Sequence, residues 1–284
     1  MAAELTPADS LAYGSDSPNQ VVDLYKPAED GPWPLVISIH GGAFRHGDRT
    51  GDLFAVPALL ARGYAVASVG YRLSGEAIFP AGVLDVKRAT AHLRVRAAEL
   101  NLDPSSFAAW GRSAGGHLSA LLGVTTGQAT EFDRPRDDSS VQAVIDWYGS
   151  SDFLQMNAQF AAGPPTGEPV PGRPLVQDHD GPESLESLWV GGPIQELPGV
   201  AARASPITYI TDQAGPLPPF FLAAGTNDRL VSHQQSLILA DALRAHGTPV
   251  VLHVLRDAPH GGRRFEDELT GPAIDWLDQI RCAG

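Results

Sequence analysis

The stretch FAAWGRSAGGHLSALLGV, residues 107–124, decides the fold. Phe107 to Trp110 reads as a short strand, and the residues up to Val124 read as an apolar helix. Between them lies Gly111-Arg112-Ser113-Ala114-Gly115, a G-x-S-x-G pattern. A strand that passes at once into a helix reverses too tightly to accept side chains, which accounts for the glycines at 111 and 115. The same turn holds the Ser113 hydroxyl clear of the sheet, open to a reactant. So short a pattern is weak alone; its place between a strand and a helix gives it weight.

Working outward, LVISI (35–39) reads as a strand that ends at His40-Gly41-Gly42-Ala43. Residues 53–62 read as a helix closed by Gly63, and YAVASV (64–69) as the next strand. Val83, Val86, Ala89, Leu93 and Ala97 share one face of a helix expected over 83–100, with Asn101 at its end. Downstream, VQAVIDW (141–147), PFFLAAG (219–225) and VVLHVL (250–255) read as strands. Helices are expected over about 232–246 and, after VVLHVL, in a last one reaching about residue 280. Strands alternating with amphipathic helices predict the α/β class, with a central, mostly parallel sheet flanked by helices.

The alternation lapses over about 150–206, where Pro164, Pro165, Pro169, Pro171 and Pro174 exclude a continuous helix or a central strand. This segment is read as a cap-like excursion over the active site, within one domain spanning residues 1–284. Phe153, Phe160 and Trp189 in it either line the pocket or anchor the excursion to the core.

Composition narrows the partners. Lys and Arg total 20 against 33 Asp and Glu, a net charge of −13, which argues against nucleic acid and against an anionic membrane surface. Hydrophobic residues at 43% support a sizeable core. The single cysteine, Cys282, excludes an internal disulfide and a cysteine-based metal site. The first thirty residues show no basic start or apolar core of a secretory leader, so a cytoplasmic location is expected. An exposed edge strand would offer a homodimer its interface.

A serine nucleophile needs a base, and the base needs an acid to orient it. In a fold of this kind the acid and the histidine follow the serine in that order, on loops after strands. Asp228 follows the FFLAAG strand and His260 follows VVLHVL, so both stand where the chemistry needs them. Asp152 is the alternative acid, while Asp146, inside its strand, reads as a paired buried group. His40-Gly41-Gly42-Ala43 suits an oxyanion hole because small residues let backbone N–H groups converge on one spot. The donors are expected from Gly42, Ala43 and Ala114. His40 is read as a loop brace and His117 as core packing. His233, His246 and His253 are read as surface or half-buried. Asp178-His179-Asp180 lacks further close ligands, so His179 is read as a solvated loop residue and no metal site is expected.

These strings, with YRLS (71–74), FPAGVLDVKRA (79–89), DWYGSSD (146–152), GGPI (191–194), ASPITY (204–209), GTNDRLVSHQQS (225–236) and APHGG (258–262), resemble the α/β-hydrolase superfamily. The resemblance is to bacterial esterases of the hormone-sensitive-lipase-like and feruloyl-esterase-like (BD-FAE) group, from about residue 20 onward. It implies Ser113, Asp228 and His260 as a triad, no cofactor, and hydrolysis of short-chain acyl esters of small molecules. YRLS and FPAGVLDVKRA look like scaffold. Ala43 stands where many relatives carry a third glycine. An arylformamidase or other amidase, or an acyltransferase, would use the same triad. A non-catalytic receptor on this fold usually lacks a triad member, and all three are present here.

Overall fold

The central strands are near-continuous apolar runs, and because successive side chains point to opposite sides, each strand offers two faces to be buried. In β3 (Trp33–Ile39), Leu35, Ile37 and Ile39 enter one core cluster and Val36 the other. The same division holds in β4 (Ala65–Val69), β5 (Leu102–Arg112), β6 (Ala143–Trp147) and β7 (Phe220–Gly225). The computed structural model describes residues 5–128, 130–132, 137–169, 175–176, 178–211 and 215–283. Pro171 and Pro174 lie outside the described residues.

Among the described residues, β1 (Asp9–Ala12), β2 (Val21–Tyr25) and β8 (Val250–Leu255) complete an eight-stranded sheet of order β1-β2-β4-β3-β5-β6-β7-β8. The β1–β2 and β2–β4 pairs are antiparallel and the remaining pairs parallel. The parallel region agrees with the alternation in the sequence. The antiparallel hairpin was not anticipated, because β1 has no buried residue and β2 carries Asp23 inside its apolar run.

Helix α1 (Val56–Ala61) packs against one face with α9 (Arg263–Ala283). The other face is covered by α2 (Ala81–Val95), the short α3 (Ala97–Leu100), α4 (Ala114–Val124) and α8 (Gln234–Ala245). The helix expected over 83–100 is therefore two helices, parted at Arg96, and Asn101 ends the second in the left-handed conformation. The helix expected over 53–62 shortens to six residues. Phe54 instead lies edge-on to Trp110, 5.9 Å between centroids. Strand β4 flanks β3 on one side and β5 on the other, so the loops leaving β3 and β5 open side by side at the carboxyl edge. That reversal of strand order is where open α/β sheets place their binding crevices.

The strings read as scaffold behave as such. Tyr71 donates to the His40 carbonyl at 2.9 Å and stacks on its ring. Asp85, fully buried, accepts from the Arg72 backbone and guanidinium and from Gln20, tying α2 to the hairpin. The stretch from 150 to 206 is not structureless. It carries α5 (Met156–Ala162), α6 (Leu185–Val190) and α7 (Pro198–Ala204), and sends Phe153 and Trp189 into the core.

Helix α4 begins hard against β3. A methyl group on Gly115 would lie 2.0 Å from the Ile39 carbonyl oxygen and 2.7 Å from that of His40, both backbone atoms that cannot swing aside. Gly115→Ala is expected to lower stability by about 1–3 kcal/mol, the usual cost of overpacking, as read from urea denaturation.

Asp146 in β6 was expected to be a paired buried group. It is buried, but the only hydrogen bond described for it comes from the Gly149 N–H at 2.9 Å, and no cation faces it among the described residues. Burial pushes its carboxyl from 3.8 up to about 7. An acid raised in the folded state keeps its proton where the unfolded chain has lost it. Stability therefore falls as pH rises from the unfolded value to the folded one, and this group adds no further loss above about 7. Asp146→Asn keeps an acceptor for Gly149 and has no charge to bury. Its stability in urea melts is expected to depend less on pH, with its largest gain over the wild type above about pH 7.

Candidate active site

Ser113 follows β5 with φ 56° and ψ −122°, a left-handed geometry that costs a non-glycine residue on the order of 1–3 kcal/mol. Its neighbours hold it there. The Ser113 N–H donates to the Trp147 carbonyl, and the Ser113 carbonyl accepts from His117 N–H one helical turn on, each at 2.9 Å.

Asp228 directly follows the Thr226–Asn227 turn that ends β7. One carboxylate oxygen accepts the backbone N–H groups of Leu230 and Val231, both at 2.9 Å. The other accepts Nδ1–H of His260 at 2.6 Å, which leaves Nε2 to accept the Ser113 hydroxyl at 2.8 Å. Asp228 is 2% exposed, so water does not compete for the pair. The three side chains named from strand-end positions thus form one continuous hydrogen-bonded line. Asp152 takes no part: it caps the short 3-10 turn at Phe153 and accepts from the Gln155 amide.

The loop after β3 reaches the same place. Gly42 at φ 120°, Ala43 at 56° and Phe44 at 58° form a left-handed run. The Gly42 carbonyl accepts from Arg45 and His46, closing the turn. Among the described backbone hydrogen bonds none is donated by the N–H of Gly42, Ala43 or Ala114. Ala114 opens α4, and a first-turn N–H has no acceptor within its own helix. Gly42 and Ala43 line a cleft of about 570 Å³ together with Ser113 and His260. His40, 3% exposed, braces this loop: its Nδ1 meets the Gly41 carbonyl at 2.7 Å, and burial holds its pKa below the usual imidazole value.

Two residues of the cleft were not singled out from the sequence. Tyr148, at φ 48°, places its ring edge-on to His260 at 4.8 Å and packs on Phe265. Burial pushes its phenol up to about 12. Arg112, the variable residue before the serine, is held by Asp52 and by Glu266, the latter at 2.7 Å, and lies over the Phe54 ring. It braces the loop before α1 and the start of α9 on either side of Ser113. Its place inside G-x-S-x-G was the signal available. A left-handed tyrosine leaves no sequence mark.

Other histidines divide as follows. His117 is fully buried, stacked on Phe153 at 5.0 Å, and burial lowers its pKa to about 4, so it is a neutral core ring. His233, His246 and His253 are half-buried. His179 corrects the expectation of a solvated residue: it is 1% exposed, stacked on Phe160, with Nδ1 3.2 Å from Glu186. Among the described residues no group of three or more His, Cys, Asp or Glu is placed to hold a metal ion. No helix among them is long and apolar enough to cross a membrane.

Known proteins share this arrangement of chain. Esterase LipC of Mycobacterium tuberculosis is 33% identical over 92% of this chain and 61% of its own length. The probable carboxylic ester hydrolase LipM of the same organism is 31% identical over 96% of this chain and 57% of its own. The chain thus spans less than two-thirds of these curated relatives. A truncated carbohydrate esterase from gut microbiota superposes with a TM-score of 0.80 at 28% identity, covering 98% of both chains. The BD-FAE family model matches residues 22–243, from the hairpin through the serine turn to α8. With that match over well over half its length, and the eight-stranded sheet beneath it, the chain belongs to the BD-FAE family of the α/β-hydrolase fold.

Proposed function

We propose that the protein is a serine carboxylesterase that cleaves short-chain acyl esters of small molecules through an acyl-enzyme on Ser113. The observation that supports it is the unbroken line from the Asp228 carboxylate through His260 to the Ser113 hydroxyl, with heavy atoms 2.6 and 2.8 Å apart. The esterase names of LipC and LipM point the same way.

In this reading His260 Nε2 takes the hydroxyl proton as Ser113 Oγ attacks the ester carbonyl carbon. Asp228 keeps the imidazole in the required tautomer and stabilises the imidazolium. Negative charge gathers on the carbonyl oxygen, where the N–H groups of Gly42, Ala43 and Ala114 receive it. Each such donor is worth about 2.7–4 kcal/mol in hydrolases where one has been removed. The ester C–O bond breaks, the alcohol oxygen leaves with the proton from His260, and water repeats the cycle on the acyl-serine. Because Ser113 is already held in its strained turn, little reorganisation remains at the moment of attack.

Ser113→Ala should fold as the wild type does and lose turnover of p-nitrophenyl acetate by about 10⁴-fold or more, together with labelling by a fluorophosphonate. Retained turnover would refute the nucleophile assignment. Asp228→Asn leaves the shape intact but permits the wrong imidazole tautomer, so kcat is expected to fall by roughly 10⁴-fold with little change in KM.

A further inference from the structure

Among the described residues the cleft around Ser113 carries the charged side chains of Asp48, Asp52, Arg112 and Glu266, and its larger apolar groups are Tyr148 and Leu230. No described residue between 150 and 206 lines it. Phe153 and Trp189, which the sequence offered either as pocket wall or as anchors, are fully buried elsewhere.

They are buried against the reaction centre from behind. Phe44 follows Ala43 directly, and His117 stands one helical turn after Ser113. The Phe44 ring stacks on Trp189 at 4.1 Å and meets His117 edge-on at 5.2 Å. His117 in turn stacks on Phe153 at 5.0 Å and meets Trp189 at 5.1 Å. These four rings occupy the apolar space between the 42–44 loop and the start of α4.

The direction of the reaction says which half of a substrate would meet them. His260 has to protonate the leaving oxygen, so the alcohol departs on the His260 side, along Gly261, Gly262 and Glu266, where the cleft is open. We propose that, with the carbonyl oxygen at the Gly42 and Ala43 N–H groups, the acyl substituent extends the other way, toward Phe44 and His117, and that the stack of Phe44, His117, Phe153 and Trp189 is a plug that sets the acyl limit of the enzyme, an inference that rests on the esterase reading above. The excursion then determines specificity by filling the acyl space from inside the core. A long acyl chain finds no room on the plugged side of the serine, whereas an acetyl group needs little.

The test is a series of p-nitrophenyl acetate, butyrate, hexanoate and octanoate with the wild type, Phe153→Leu and Trp189→Leu. Both variants keep an apolar side chain in the core and neither residue belongs to the proposed catalytic machinery. In the wild type kcat/KM is expected to fall about a hundredfold from acetate to octanoate. In each variant the octanoate-to-acetate ratio should rise at least tenfold or so, with acetate turnover within about threefold of the wild type. A wild type that cleaves octanoate as fast as acetate overturns the plug. So do variants that still cleave acetate but leave the ratio unchanged. A wild type inert to every ester and to a fluorophosphonate overturns the esterase reading itself, and the plug with it.

Discussion

Contact between the first turn of α4 and the carboxyl end of β3 is the constraint on which the rest of this molecule depends. Strand β5 lies between β3 and β6, and its chain has to leave the sheet, reverse and start a helix within a few residues. It does so with Ser113 in a left-handed conformation and with glycine at 111 and 115, where a methyl group would strike backbone oxygen. The strain is offset by what surrounds it: the Ser113 N–H is satisfied by Trp147, and α4 is buried along its whole length. Once the turn is made, the hydroxyl stands at the edge of the sheet where the loops from β3, β7 and β8 also emerge. The Gly42–Phe44 run, Asp228 and His260 need only complete themselves around it.

Charge near the serine is organised around that turn. Arg112 is its second residue, and its guanidinium is shared between Asp52 ahead of α1 and Glu266 in the first turn of α9. One cation thus joins elements on one face of the sheet to the serine loop. Behind the turn the logic is reversed. Asp146 is enclosed with one described hydrogen bond, so burial favours its neutral form. His117 is likewise neutral in its aromatic surroundings. The buried side behind the turn therefore carries little charge, and the open side carries Arg112 with its two carboxylate partners.

The architecture was largely legible because a parallel sheet buried on both faces writes itself as short apolar runs with helices between them. Six of those runs became strands, and the ends of two of them, taken with the serine–acid–histidine order expected of such a fold, picked out Asp228 and His260. What escaped was decided by contacts distant in the chain. The hairpin of β1 and β2 lacks a continuous apolar run, and it is held by Gln20 and Asp23, whose partners Asp85 and Arg49 lie elsewhere in the sequence. Arg96 divides one amphipathic stretch into two helices. His179, flanked by two aspartates, has the local look of a solvated loop. It is buried because Phe160 and Glu186, from two other segments, close over it. Tyr148 was invisible for the same reason: its role beside His260 is a matter of ring geometry, not of pattern.

The excursion between β6 and β7 also bears on how Asp228 and His260 stay aligned, since they ride on separate loops. Thr226, two residues before Asp228, accepts the Asp257 N–H with its hydroxyl at 2.8 Å, joining the loop of Asp228 to that of His260. Thr166 of the excursion donates to the Asp257 carboxylate at 2.9 Å, and its backbone N–H bonds to the Thr226 carbonyl at 2.8 Å. The Asn227 amide reaches back to the Glu168 carbonyl. Each of these bonds is exposed or half-exposed and adds only about 0.5–1.5 kcal/mol to stability. Their geometric effect is larger than that, because a misplacement of about 1 Å in a reacting group can cost about 10²-fold in rate. A segment that contributes no described wall to the cleft thereby acts on it twice, by filling the core behind Ser113 and by clasping the two loops that face it.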